Sequence, residues 1–155
     1  MIHNEDSRVK IPAVLHLIRL GYQYISKKGN EWDKSNNIFK DIFISSLIKI
    51  NKNIDKKKAE AVYDEVSLML TNNDLGKIFF ERIISKSGIK LIDFENIDNN
   101  NFNVVTELPY KNDDEEFRPD ITLLINGMPL AFVEVKKPNN QAGILAEHKR
   151  IEKRF

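Results

Sequence analysis

Residues 118–138 read Arg118-Pro119-Asp120-Ile121-Thr122-Leu123-Leu124-Ile125-Asn126-Gly127-Met128-Pro129-Leu130-Ala131-Phe132-Val133-Glu134-Val135-Lys136-Lys137-Pro138. Asn-Gly between two apolar runs is the strongest short-range hairpin signal, because a tight turn needs positive φ at both central positions. The spacing predicts strands over 119–126 and 128–137. Both runs are apolar on alternating and intervening positions alike, which predicts two strands in the middle of a covered sheet. Glu134 and Lys136 interrupt the second run two residues apart, hence on one face. Asp120 opens the partner strand. Charged side chains rarely enter a covered strand without a partner or a task.

Two carboxylates and a lysine at one end of a hairpin suit a hard divalent cation. Mg²⁺ takes oxygen ligands, usually one or two carboxylates, and keeps water and substrate phosphate for the rest. Such an ion lowers the pKa of a water and neutralises a phosphate under attack, and a lysine beside it can stabilise the transition state. The plainer alternative is that Glu134 and Lys136 are exposed positions of an edge strand and Asp120 merely follows Pro119, since Pro-Asp with a later Glu-x-Lys is a loose pattern.

Register separates the two readings. A plain two-residue turn pairs 125 with 128, and therefore Asp120 with Val133, which sends Glu134 to the opposite side of the sheet. A shared cation site requires Asp120 level with Glu134. The site reading thus predicts either a one-residue bulge or a three-residue loop.

Outward from the hairpin, the first half of the chain has helical spacing. Ser7 can cap a helix carrying Val9, Val14, Leu15, Leu17 and Ile18, with Pro12 tolerable only in its first turn and Gly21 as its stop. Tyr22 to Ile25 reads as a short strand. Further helices are predicted over Ile38 to Ile50, from Asp55 through Leu70, and from Asp74 to Gly88. Ile89 to Phe94 and Phe102 to Leu108 read as β-type runs around an Asn-rich loop. Gln141 to Phe155 reads as a last helix that reaches the chain end uncapped, so a longer parent chain is expected. The fold class expected is α/β: a small mixed sheet flanked by helices, one domain over 1–155, with a helical insertion at about 33–88.

Composition narrows the function. The chain has 155 residues, 24 Lys+Arg against 23 Asp+Glu, and no Cys. Thiolate catalysis, disulfide scaffolds and Cys-based zinc sites are excluded, and a reducing compartment fits. A net charge of +1 argues against holding nucleic acid by bulk electrostatics. That total hides an asymmetry: an acidic segment from Glu95 to Asp120 leads into the hairpin, and a basic one from Lys136 to Phe155 leaves it. No apolar run reaches the ~18 residues of a membrane span, and the acidic opening MIHNEDSRVK is no secretory signal. A cytoplasmic protein is expected.

Other residues carry weaker signals. His3, His16 and His148 are scattered over separate elements. The acidic run Asp113 to Glu116 reads as a solvated loop. Glu107 is a possible auxiliary carboxylate, with a surface position the default. Lys149, Arg150, Lys153 and Arg154 could approach a DNA backbone, with a solvated helix face the default, and Tyr22 and Tyr24 read as core more than as base-stacking platforms.

The segment FRPDITLLINGMPLAFVEVKKP also resembles the N-terminal nuclease domain of the R (motor and cleavage) subunit of type I restriction enzymes, which has the PD-(D/E)xK, restriction-endonuclease-like fold. The resemblance is dense over 118–138 and extends to Gly21-Tyr22 and to Ala146 through Phe155. It implies that Asp120 and Glu134 bind Mg²⁺, that Lys136 is the catalytic lysine, and that double-stranded DNA is the substrate. It further implies modification and specificity subunits as partners and an ATP-driven motor elsewhere in the parent chain, since no G-x-x-x-x-G-K-[ST] loop occurs here. Two motifs depart from the family. Lys10 and Pro12 stand where a first-helix glutamate is common, with Glu5 and Asp6 only rough substitutes, and the Gln-x-x-x-Tyr signature is replaced by Ile151 and Phe155. Those departures keep a non-catalytic protein-binding domain of the same fold open, beside a repair or junction-cleaving nuclease.

Overall fold

The computed structural model describes residues 6–112, 115–136 and 141–152. The expectations placed on His3, Glu5, Asp113, Asp114, Lys137 and residues 153–155 lie outside them. The elements run α1 (Ile11–Arg19), β1 (Gln23–Tyr24), α2 (Lys40–Ile50), α3 (Lys56–Met69), α4 (Lys77–Ile84), β2 (Phe102–Thr106), β3 (Tyr110–Asn112), β4 (Glu115–Phe117), β5 (Ile121–Ile125), β6 (Met128–Val133) and α5 (Gln141–Glu152). A four-stranded sheet has the order β1-β2-β5-β6, with β1 parallel to β2 and the other pairs antiparallel. This is the mixed sheet with flanking helices expected of the restriction-endonuclease-like class. Among the described residues, no helix is long and apolar enough to cross a membrane.

Apolar alternation explains the layering. On β2, Val104 and Val105 point to opposite faces, and both are buried. Val104 joins Ile121 and Val135 against Val9, Val14 and Leu17 of the first helical segment. Val105 joins Phe39, Leu108 and Leu124 on the other side. The largest cluster lies beyond the turn: Phe43, Ile44 and Leu47 of α2 meet Ala59, Val62 and Val66 of α3, with Leu91 and Met128. Asp55 caps α3 through the Lys58 N–H at 2.8 Å. Gly127 lies so close to the start of α2 that an added Cβ would fall 2.7 Å from the Phe39 carbonyl oxygen and 2.8 Å from the Phe43 nitrogen.

Several expectations are corrected. The central position holds for β5, but β6 is the sheet edge, with Ala131 and Val133 exposed. Ile89 to Phe94 is not a strand. Its backbone groups are taken by side chains instead: Asn100 accepts from Asp93 N–H and donates to Asp93 C=O, both at 2.8 Å, and Asn126 donates to the Leu91 carbonyl at 2.9 Å. The run expected to be a solvated acidic loop instead contributes Glu115 and Glu116 to β4, which pairs with β3. Ser7 does not cap α1, because Asp6 to Lys10 form a π-helical turn that leads directly into it. Pro12 does fall in the first turn of α1.

Candidate active site

The turn at Asn126-Gly127 has two residues, with φ of 53° and 79°, and it pairs Ile125 with Met128. Leu124 pairs with Pro129, yet Leu123 pairs with Ala131, so Leu130 is unmatched and forms a one-residue bulge. The register argument required this bulge or a longer loop. Beyond it Ile121 faces Val133, which sets Asp120 level with Glu134 just past the end of β6. Asp120 Oδ2 accepts a 3.0 Å hydrogen bond from the Val135 N–H, and the Asp120 carbonyl accepts one from the Glu107 N–H at 3.2 Å.

The Glu134 side chain is only 10% exposed. Burial first, and then the adjacent Asp120 carboxylate, push its pKa up to about 7. The two carboxyl groups share a hydrogen bond when one is protonated. With both ionised, Glu134 Oε1 is buried and has no donor among the described residues. Arg150 lies 3.9 Å from the other oxygen.

Lys136 does not contact these carboxylates as its closest partner. It lies after the end of β6, and its ammonium is 3.4 Å from Glu147 on α5. Glu147 also pairs with Arg150, whose guanidinium is 5.6 Å from the Phe117 ring centre. A chain of charges thus runs Lys136–Glu147–Arg150–Glu134. Arg150 therefore borders the site while remaining solvent-exposed. The i,i+3 spacing of Glu147 and Arg150 predicts their pairing, but nothing in it points toward Glu134.

Glu107 is likewise no bystander. Lys10 Nζ donates to its carboxylate at 2.8 Å and lies 3.5 Å from Asp120 Oδ1. That hydrogen bond and the Lys10 charge hold the Glu107 carboxyl below its ordinary range, against a smaller opposing effect of burial. Lys10 itself is buried. Its spacing of four and seven from Val14 and Leu17 puts it on the apolar face of the helical segment, a signal legible in the sequence. Tyr22 packs edge-on against Phe102, whereas Tyr24 is exposed.

The donor set fits a hard divalent ion. Two adjacent carboxylates, one with a buried oxygen lacking a donor, are stabilised by a cation between them. Among the described residues no group of three or more His, Asp or Glu side chains could hold a metal.

A model of the type I restriction enzyme R protein N terminus matches residues 2–153. A Methanocaldococcus jannaschii protein named as the type I restriction enzyme MjaIXP endonuclease subunit is 35% identical over 164 residues, 88% of this chain and 16% of the relative. The MjaVIIIP endonuclease subunit of the same organism is 35% identical over 103 residues, 64% of this chain and 9% of the relative. The chain spans about a sixth of the first relative's length. Sheet, hairpin and family match agree, and the chain belongs to the family of type I restriction enzyme R protein N-terminal domains.

Proposed function

We propose that this chain is a Mg²⁺-dependent endonuclease domain that cleaves double-stranded DNA within an ATP-driven type I restriction enzyme R subunit. The observation that carries the reading is the Leu130 bulge, which brings Asp120 and Glu134 to one side of the hairpin. Asp120 and Glu134 would hold the ion. When bound, it would lower the pKa of an attacking water and neutralise the phosphate. The Val135 N–H fixes the Asp120 carboxylate in orientation. Burial favours an uncharged or ion-paired Glu134 over a free carboxylate, so the site gains most from a cation at neutral pH. Lys136 is the catalytic lysine, released from Glu147 to donate to a phosphate oxygen or the attacking water.

The whole chain reads as one nuclease-type unit, with α2 to α4 as its helical insertion. The near-neutral charge leaves DNA holding to the rest of the parent chain and to modification and specificity subunits. The isolated segment is accordingly expected to be nearly inactive on linear DNA at physiological salt. Calorimetric titration of the full-length chain with Mg²⁺ and Mn²⁺, wild type against Asp120→Ala, tests the reading. A binding component present in the first and lost in the second is expected. Identical titrations, with no cleavage difference in the assembled enzyme, would remove it.

A further inference from the structure

The Lys10 side chain is 11% exposed and, among the described residues, sits against the acids Glu107 and Asp120. An amine in such a position costs heavily unless paired, so its location is specified by the fold. Lys10 ends the π-helical turn and sits on the face that carries Val14 and Leu17 inward. Its main partner is equally fixed. Glu107 has a left-handed backbone with φ of 55°, its N–H bonds the Asp120 carbonyl, and its own carbonyl accepts from Lys27 Nζ at 2.7 Å. The ammonium therefore stands where Glu107 and Asp120 would otherwise face each other as a second pair of carboxylates.

We propose that Lys10 is a built-in counter-cation, a positioning residue that fills the Glu107–Asp120 side and confines the site to a single divalent ion on the Glu134 side. This rests on the metal reading above. A unit charge a few ångströms from a bound divalent ion also weakens that ion's binding, by about tenfold or more at the effective dielectric of a protein surface.

The test is calorimetric titration of the full-length chain with Mn²⁺, each count taken as the difference from Asp120→Ala so that ions bound elsewhere cancel. Wild type should bind one ion and Lys10→Met two, the second bridging Glu107 and Asp120. One ion in both, at equal affinity, would overturn the proposal. Thermal unfolding checks that Lys10→Met folds with Glu107 unpaired. If it does not, Lys10→Gln keeps an N–H donor beside Glu107 without the charge and should bind its ion about tenfold more tightly than wild type; unchanged affinity overturns the proposal there. The two readings fail separately. A wild type that binds like Asp120→Ala, beside a Lys10→Met that takes up Mn²⁺, sinks the native metal site and keeps the counter-cation. Uptake by none of them sinks both.

Discussion

The Asp120 carboxylate accepts a hydrogen bond from the backbone N–H of Val135, the residue between Glu134 and Lys136. A strand-start acid thereby grips the far strand at the point where the sheet ladder ends. The same side chain serves register with one oxygen and faces Lys10 with the other. Asp120→Asn separates these roles, because an amide oxygen still accepts from Val135 while the charge is gone. Stability within about 1 kcal/mol of wild type is expected, with divalent-ion binding weakened at least tenfold. Asp120→Ala should lose both, and thermal unfolding beside calorimetry distinguishes them.

Glu134 makes a prediction about pH. Between the ordinary carboxylate value of 4.5 and about 7, the folded chain retains a proton that the unfolded chain has released. Folding stability therefore falls as pH rises through that window, by roughly 1–2 kcal/mol once partial solvent access is allowed for. Mg²⁺ should offset the loss by occupying the ionised pair. Urea unfolding at a series of pH values, without and with Mg²⁺, measures it. Glu134→Gln should flatten the profile; an unchanged slope in that variant would assign the effect to other groups.

Lys136 and Glu147 should behave as partners with opposite consequences. Lys136→Ala is expected to abolish DNA cleavage in the assembled enzyme and leave ATP hydrolysis by the parent chain intact. Glu147→Gln removes the carboxylate that holds Lys136 3.4 Å away and should preserve cleavage within a few fold. Parallel cleavage and ATPase assays on both variants decide the point. Loss of ATPase with Lys136→Ala would place the lysine in folding rather than catalysis.

How much of this was legible in the sequence depends on range. The hairpin follows from turn chemistry, whereas the bulge and the pairing of Asp120 with Glu134 follow only from requiring, with a period of two, that the two carboxylates share a site. The edge position of β6 does not, because Leu130 to Val135 looks the same whether a neighbouring strand or something else lies beside it. Ile89 to Phe94 reads as a strand for the same reason: Leu91 and Ile92 are indeed buried, although Phe94 is exposed, but Asn100 and Asn126 supply the hydrogen bonds that a ladder would have supplied. Lys10, Glu107 and Arg150 reach the site from three distant segments. Glu107 and Arg150 read only as an auxiliary carboxylate and a DNA-facing base with surface positions the default, and Lys10 carried its sign by standing on an apolar face.

The register can be shifted without touching either carboxylate. Inserting one alanine between Ala131 and Phe132, with the bulge at Leu130 kept, moves the ladder by one residue, so that Asp120 would oppose Val133 and Glu134 would turn to the other side of the sheet. The carboxylates would then lie on opposite faces, and no ion could join them. Leu130 packs against the cluster around Phe43 and Met128, so an insertion beside it strains packing as well as register. Leu130→Ala supplies the control, since it loses the packing, about 2–3 kcal/mol for a half-buried leucine, and keeps the residue count. The expected result is that Leu130→Ala is less stable than wild type yet still binds Mn²⁺, whereas the insertion variant folds without binding it. Thermal unfolding and calorimetry on the three chains are sufficient. Retained Mn²⁺ binding in a folded insertion variant would show that register does not make the site, and the pairing of Asp120 with Glu134 would lose its meaning.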